Sequence, residues 1–280
     1  MSAPVLRFAP SPNGELHLGH AFSALFTARQ ARSAGGRFLL RIEDIDTTRC
    51  RENFVEQIYR DLAWLGLRWE EPVRRQSTEM ETYRTAQRVL EALGLLYPCF
   101  CTRRVAAQVT GGVDPDGVPL YPGTCRALAF SERSARVAEG EPHHLRLDVR
   151  AALAGIDAPL RFTDVGRGET IAADPARWGD AVVVRKDIGT SYHIAVVIDD
   201  ALQGVTHVTR GLDLFEATHL HRLLQHLLAL PTPLYHHHRL IGDDAGRKLS
   251  KSAGARSLKA LREAGVTAGE IETALGFGLV

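Results

Sequence analysis

The chain is short of cysteine, of net charge and of long apolar runs, and each shortage excludes a class of protein. Four cysteines occur in 280 residues, Cys50, Cys99, Cys101 and Cys125, and three of them fall within 27 positions. That is too few and too clustered for a disulfide framework, so metal ligation is the first expectation. Lys and Arg number 34 against 33 Asp and Glu, a formal net charge of +1. No global field draws such a chain to nucleic acid or to an anionic membrane, and any polyanion contact must rest on a local patch. No stretch approaches the roughly 18 uninterrupted apolar residues of a membrane-spanning helix. The N-terminus, with Arg7, Pro4, Pro10 and Pro12, has no signal-peptide core, and a cytoplasmic location is expected. Internal repeats and low-complexity tracts are missing too. What remains, 45% hydrophobic and 24% charged, is ordinary globular composition. Its length suits one large α/β domain, with or without an inserted subdomain.

Residues 5–8 form a short apolar run stopped by Pro10 and Pro12, and residues 17–33 carry apolar side chains at helical spacing. Gly35-Gly36 ends that helix, and residues 37–42 read as a second strand that runs into Glu43-Asp44-Ile45-Asp46. Strand, helix and strand with one tight crossover predict a parallel sheet. Helical periodicity follows over 53–67 and 79–95. From about 99 to 128 the chain is rich in Gly and Pro and poor in periodic apolar residues, the composition of an irregular insert. The alternation over 144–149 and the apolar runs 181–184 and 194–198 predict strands, the last two resuming the main sheet. An amphipathic helix over 215–230 and a mostly helical tail complete the chain. The expected division is 1–96 for the first half of the domain, 97–178 for an inserted subdomain, 179–256 for the second half, and 257–280 for a short helical tail.

Two separated segments carry chemistry. After the rigid turn Ala9-Pro10-Ser11-Pro12, the first helix opens with His17 and His20, which share a helix face. A helix N-terminus offers free N–H groups to an anion, so two imidazole donors there suit a nucleotide phosphate, and Gly19 lets an adenine ring approach the backbone. An isolated H-x-x-H is more often two surface histidines. The second segment, Gly246-Arg247-Lys248-Leu249-Ser250-Lys251-Ser252, sets two lysines three apart among small residues, as a leaving phosphate requires, though alone it reads as a solvated basic loop.

Together they resemble the HIGH and KMSKS signatures of class I aminoacyl-tRNA synthetases, standing here as His17-Leu18-Gly19-His20 and Lys248-Leu249-Ser250-Lys251-Ser252. Arg7-Phe8-Ala9-Pro10-Ser11-Pro12, Arg41-Ile42-Glu43-Asp44, residues 192–200 and Thr209-Arg210-Gly211 are similar to glutamyl-tRNA synthetase, and the likeness covers most of the chain outside 99–128. The resemblance implies a Rossmann-like class I catalytic domain of α/β class with an inserted zinc-binding subdomain. It implies ATP on His17, Gly19, His20, Lys248, Ser250 and Lys251, with His17, His20, Lys248 and Lys251 catalytic, and Mg2+ arriving with the ATP. Glutamate would lie on Arg7, Phe8, Ala9, Pro10, Ser11, Glu43, Tyr192 and Arg210. Two guanidinium groups for carboxylates and one carboxylate for the ammonium match that amino acid. Read alone, Glu43, Asp44 and Asp46 could equally be a magnesium site or an exposed acidic turn.

Cys99, Cys101 and Cys125 make three thiolates, one short of a structural zinc set, and a Gly- and Pro-rich insert gains order from a bound ion. In the glutamyl-queuosine relatives of glutamyl-tRNA synthetase a tyrosine is the fourth ligand, and Tyr121 stands at the matching place; water is the other choice. Cys50 reads as a free thiol. His236, His237 and His238 cannot all face one ion, and are expected at the surface or in packing.

In glutamyl-tRNA synthetases a large helical anticodon-reading domain follows the KMSKS loop, whereas 280 − 252 = 28 residues follow Ser252 here. The resemblance is therefore to the glutamyl-queuosine branch, which lacks that domain. It implies tRNA-independent activation of L-glutamate and transfer to queuosine at the wobble position of tRNA(Asp), by a monomer with no membrane contact. Arg74-Arg75 and Arg103-Arg104 are candidate phosphate contacts or plain solvated surface. The alternatives are a minimal glutamyl-tRNA synthetase that charges a 3′ end, and a non-catalytic synthetase-like binder of tRNA or an amino acid.

Overall fold

The computed structural model describes residues 3–102, 112–242 and 256–278. Its main sheet has seven strands in the order β3-β2-β1-β9-β10-β6-β7. These are β1 (Val5–Phe8), β2 (Arg37–Ile42), β3 (Glu70–Arg75), β6 (Arg161–Asp164), β7 (Glu169–Ala172), β9 (His207–Gly211) and β10 (Leu234–His238). All neighbours run parallel except β6 and β7. β1 is buried along its whole length, and the last four residues of β2 are as well, as a strand covered on both faces requires.

The chain leaves β1 through α1 (Leu18–Ser33) to reach β2 on one side. From β9, the other neighbour of β1, it passes through α7 (Ala217–Leu227) to reach β10 in the opposite direction. The strand order thus reverses between β1 and β9. In open parallel sheets the crevice outside the carboxyl ends of such a pair is where ligands bind.

Helices α2 (Glu52–Trp64) and α3 (Met80–Ala92) lie where the periodicity predicts them. Two strand expectations need correction. Residues 182–184 are a strand, β8 (Val182–Val184), but it pairs antiparallel with β5 (His144–Leu147), itself antiparallel to β4 (Leu96–Cys99), in a separate three-stranded sheet. Residues 194–198 are not a strand: they form the centre of α6 (Tyr192–Leu202). Ser191 starts that helix by accepting from the Ile194 N–H, and every residue from Ile194 to Asp200 is buried. A continuous apolar run has no period, so it suits a wholly buried helix as well as a strand.

The sheets also cut across the sequence division. β6 and β7, inside 97–178, join the main sheet through Tyr235↔Asp164, whereas β8, beyond 178, belongs to the small sheet. The remaining helices are α4 (Phe130–Ala138), α5 (Val149–Ala154), α8 (Leu258–Glu263) and α9 (Ala268–Ala274). Leu258 and Leu261 of α8, Ile271 of α9 and Leu275 just after it are buried in one cluster with Leu16, Phe22 and Leu62. No helix among the described residues is long and apolar enough to cross a membrane.

Candidate active site

A cleft of about 380 Å³ opens at the carboxyl ends of β1, β2, β9 and β10. Its walls include Arg7, Phe8, Ala9, Pro10, Ser11, His17, Gly19, His20, Glu43, Tyr192 and Arg210, so every sequence-predicted ATP or glutamate residue that the structure describes lines one cavity. Lys248, Ser250 and Lys251 lie outside the described residues, as do Arg103 and Arg104. The described chain on either side of 243–255 reaches the same place. Leu240 and Ile241 line the cleft, Ser257 pairs with His17, and the Leu258 N–H donates to the Leu16 carbonyl at 2.8 Å.

The turn after β1 is pinned from outside: the Pro10 carbonyl accepts from the Glu43 N–H and the Pro12 carbonyl from the Arg51 N–H, both at 3.0 Å. The chain then enters α1 through a reciprocal cap made by two histidines. His17 Nδ1 accepts from the Gly19 N–H at 3.1 Å, and His20 Nδ1 accepts from the His17 N–H at 3.2 Å. Both Nδ1 atoms are acceptors, so both rings carry their proton on Nε2 as a donor. A Cβ on Gly19 would meet the His17 ring at 2.9 Å, so the first reason for glycine there is room for this imidazole.

The acidic turn is neither exposed nor a convergent metal site. Glu43, Asp44 and Asp46 are all buried, and each has its own partners. Asp44 accepts from Arg75 and Ser77, and Asp46 from Thr48 and Arg49. Glu43 accepts from Arg41 at 3.1 Å. Burial pushes the Glu43 carboxyl above its ordinary range, against the pull of Arg41 and Arg7. Arg74 and Arg75 are partly buried ion-pair partners of the buried Asp199 and Asp44, and Arg75 also pairs with the exposed Glu52.

Behind the cleft stands a charged layer that reading the sequence does not reveal. Asp200 accepts from Arg7 Nε at 2.9 Å and Nη2 at 3.2 Å, and from Arg41 Nη1 at 2.8 Å. Burial alone would raise the Asp200 carboxyl, but the two guanidinium groups outweigh it and hold it below the usual range. Arg210, on β9, donates to His237, His221 and Thr218. Of the histidine run on β10, His237 is thus a partner of Arg210, and His238 lies 3.1 Å from the hydroxyl of Ser23, with which it shares the wall of the cleft. The only hint in the sequence is Asp199-Asp200, two acids closing a five-residue apolar run.

Outside the cleft lining, the sulfurs of Cys99, Cys101 and Cys125 lie within 4.8 Å of one another. Cys101 Sγ is 3.5 Å from both Cys125 Sγ and Tyr121 Oη, and Tyr121 Oη accepts from the Cys125 N–H at 2.8 Å. The edge of a tetrahedron with Zn–S bonds of about 2.3 Å is about 3.8 Å, so the sulfurs stand at ligand spacing with a phenol oxygen beside them. Cys50 is apart from this group, its thiol 3.9 Å from the Glu43 carbonyl.

Residues 5–274 match the family described as tRNA synthetases class I (E and Q), catalytic domain. A glutamyl-Q tRNA(Asp) synthetase from Rhodobacter capsulatus is 46% identical over 97% of this chain and 99% of its own length. Another from Symbiobacterium thermophilum is 44% identical over 93% of this chain and 82% of its own. Among solved structures, a glutamate-tRNA synthetase from Elizabethkingia anophelis superposes with a TM-score of 0.76 at 29% identity, over 90% of this chain and 53% of that one. The chain therefore belongs to the class I glutamyl- and glutaminyl-tRNA synthetase family, in its glutamyl-Q tRNA(Asp) synthetase branch.

Proposed function

We propose that the protein activates L-glutamate with ATP, without tRNA, and transfers the glutamyl group to the cyclopentenediol of queuosine at the wobble position of tRNA(Asp). The observation that carries this reading is one cleft holding two buried arginines, one buried glutamate and a histidine-capped helix start. Arg7 and Arg210 take carboxylate oxygens, Glu43 takes the α-ammonium, and Tyr192, Phe8, Ala9, Pro10 and Ser11 close the pocket.

An oxygen of the glutamate α-carboxylate attacks the α-phosphorus of ATP in line. The bond from phosphorus to the bridging oxygen breaks, and pyrophosphate leaves with its electron pair. No side-chain nucleophile takes part; the protein positions the reactants and neutralises developing charge. His17 and His20 donate from Nε2 at the positive end of α1, and Lys248 and Lys251 act on the departing pyrophosphate. Mg2+ enters as part of the nucleotide substrate. A queuosine hydroxyl then attacks the adenylate carbonyl carbon, an ester bond forms, and AMP departs with the hydroxyl proton on its phosphate. All pocket groups come from one chain, so a monomer suffices.

One Zn2+ on Cys99, Cys101, Cys125 and Tyr121 would cross-link the irregular insert and take no part in the chemistry. The test of the whole reading is transfer of labelled glutamate, with ATP, to tRNA(Asp) bearing queuosine and to the same tRNA bearing guanosine, followed by nuclease mapping. Label in the anticodon loop of the queuosine tRNA alone is expected. Label at the 3′ end of tRNA(Glu) would make this a minimal charging enzyme. No transfer together with no glutamate-dependent pyrophosphate exchange would remove catalysis altogether.

A further inference from the structure

The two arginines of the pocket differ in what else they touch. Arg7 lies with Nε and Nη2 on the two oxygens of Asp200, so an internal carboxylate already pairs its charge. Arg210 is held differently: Nε donates to His237 Nε2 at 3.2 Å, Nη1 to His221 Nδ1 at 3.1 Å, and Nη2 to the Thr218 hydroxyl at 2.6 Å. All four residues are buried, and among the described residues no carboxylate forms an ion pair with Arg210.

Guanidinium only donates, which fixes the tautomers of both rings. His237 must present a bare Nε2, so its proton is on Nδ1 and is donated to Asp164 Oδ2 at 2.7 Å. His221 must present a bare Nδ1, so its proton is on Nε2 and is donated to His193 Nδ1 at 3.1 Å. Burial, seconded by the charge of Arg210, holds both imidazoles in the neutral form, His237 at about 4 despite Asp164 and His221 well below its ordinary value. Asp164 thus orients the cage while standing one imidazole away from the guanidinium.

We infer that His221, His237 and Thr218 are specificity-determining residues: as neutral acceptors they hold Arg210 in place without cancelling its charge, which leaves a carboxylate on the incoming amino acid as its counter-ion. Glutamate supplies that charge. Glutamine offers a carboxamide of the same shape and leaves a buried cation unpaired, which is the costly arrangement. The inference rests on the proposed activation of glutamate and on Arg210 as the group that takes the side-chain carboxylate, the one carboxylate that glutamine lacks.

The test compares isosteric pairs that differ in charge alone. His221→Asn sets an amide oxygen near the place of Nδ1, and His221→Asp sets a carboxylate there; both side chains are smaller than imidazole. A second pair, His237→Gln and His237→Glu, is made in an Asp164→Asn background, so that the one new charge faces Arg210. Pyrophosphate exchange is measured with glutamate and with glutamine, and the ratio of kcat/KM values is compared within each pair. The amide variants should keep the preference for glutamate. The carboxylate variants should lose about a hundredfold of it, as expected when a desolvated charge pair is forfeited, through a raised KM for glutamate. Equal ratios within a pair whose members both fold would overturn the inference, and if the 221 pair is unfolded the 237 pair decides. Failure of the wild-type chain to activate glutamate at all would instead overturn the reading beneath it.

Discussion

Asp200 holds Arg7 by both oxygens although the two residues are 193 positions apart in the chain. The same carboxylate accepts from Arg41, and Arg41 in turn donates to Glu43. Two cleft-lining groups of opposite sign, Arg7 and Glu43, proposed above for a carboxylate and an ammonium, therefore hang on one buried acid that does not line the cleft.

Asp200→Asn should act on both at once. It keeps the shape and removes the counter-charge of two buried guanidinium groups, a change that costs about 3–5 kcal/mol when a buried pair loses one partner. Thermal unfolding should move down by several degrees, and the KM for glutamate should rise far more than that for ATP. An unchanged KM for glutamate in a folded variant would mean that Arg7 is positioned by its other contact, the Thr209 carbonyl at 3.3 Å.

How much of this site could be read in advance follows from where its information sits. β1, α1 and β2 are punctuated locally by Pro10, Pro12, Gly35 and Gly36, and the motif residues sit on their ends. Those elements and the residues Arg7, His17, His20 and Glu43 were legible for that reason. The helix at 192–202 was not, because the apolar run at its centre has no period and its capping serine looks like any loop serine. The partnerships of Arg41, Asp200, His221, Thr218 and His237 were illegible for a different reason. These residues come from four elements, β2, α6, α7 and β10, and only the sheet order and the helices packed on it bring them within hydrogen-bond reach of Arg7, Glu43 and Arg210.

The cysteine cluster predicts a metal content. The chain purified without chelator should carry about one zinc, and Cys99→Ser, Cys101→Ser or Cys125→Ser should lose it and lower the unfolding temperature. Tyr121→Phe separates the two choices for the fourth ligand. Weaker zinc retention against a competing chelator identifies the phenol oxygen, and unaltered retention identifies water.

The neutral histidines predict a pH dependence of stability. His219, His221, His237 and His238 all have their imidazoles pushed down, by burial above all, His237 to about 4. In the unfolded chain these rings protonate near 6.5, so between about 6.5 and 4 the unfolded state binds more protons. Their contribution is complete above about pH 6.5 and drains away as the pH falls towards 4. The raised carboxyls of Glu43 and Asp61 work in the opposite sense at the acid end. The clean measurement is therefore a difference: denaturant unfolding of the wild type and of His237→Gln at pH 7 and pH 5. The wild type should lose more stability across that interval. Equal losses would mean that His237 titrates normally in the folded chain.

The paired cap at the start of α1 lets folding and chemistry be separated at one residue. In both His17 and His20 the Nδ1 atom accepts a backbone N–H, which leaves the proton on Nε2, and both residues line the cleft, where the proposed mechanism uses that proton. Asparagine can place its oxygen near Nδ1 and has nothing at Nε2; glutamine can place its amide nitrogen near Nε2 and has nothing at Nδ1. His17→Asn should thus keep the cap and lose the donor. Its stability should stay within about 1 kcal/mol of the wild type, the scale of a single cap, while glutamate activation falls about 10²- to 10³-fold, the scale of one removed donor to a developing charge. His17→Gln should do the reverse, with a lower unfolding temperature and a smaller loss of rate. Unfolding curves and glutamate-dependent pyrophosphate exchange rates of the two variants check this directly. If both variants lost rate and stability in the same proportion, the imidazole would be acting as a cap alone, and donation to the phosphate would have to come from His20 and the free N–H groups of the helix.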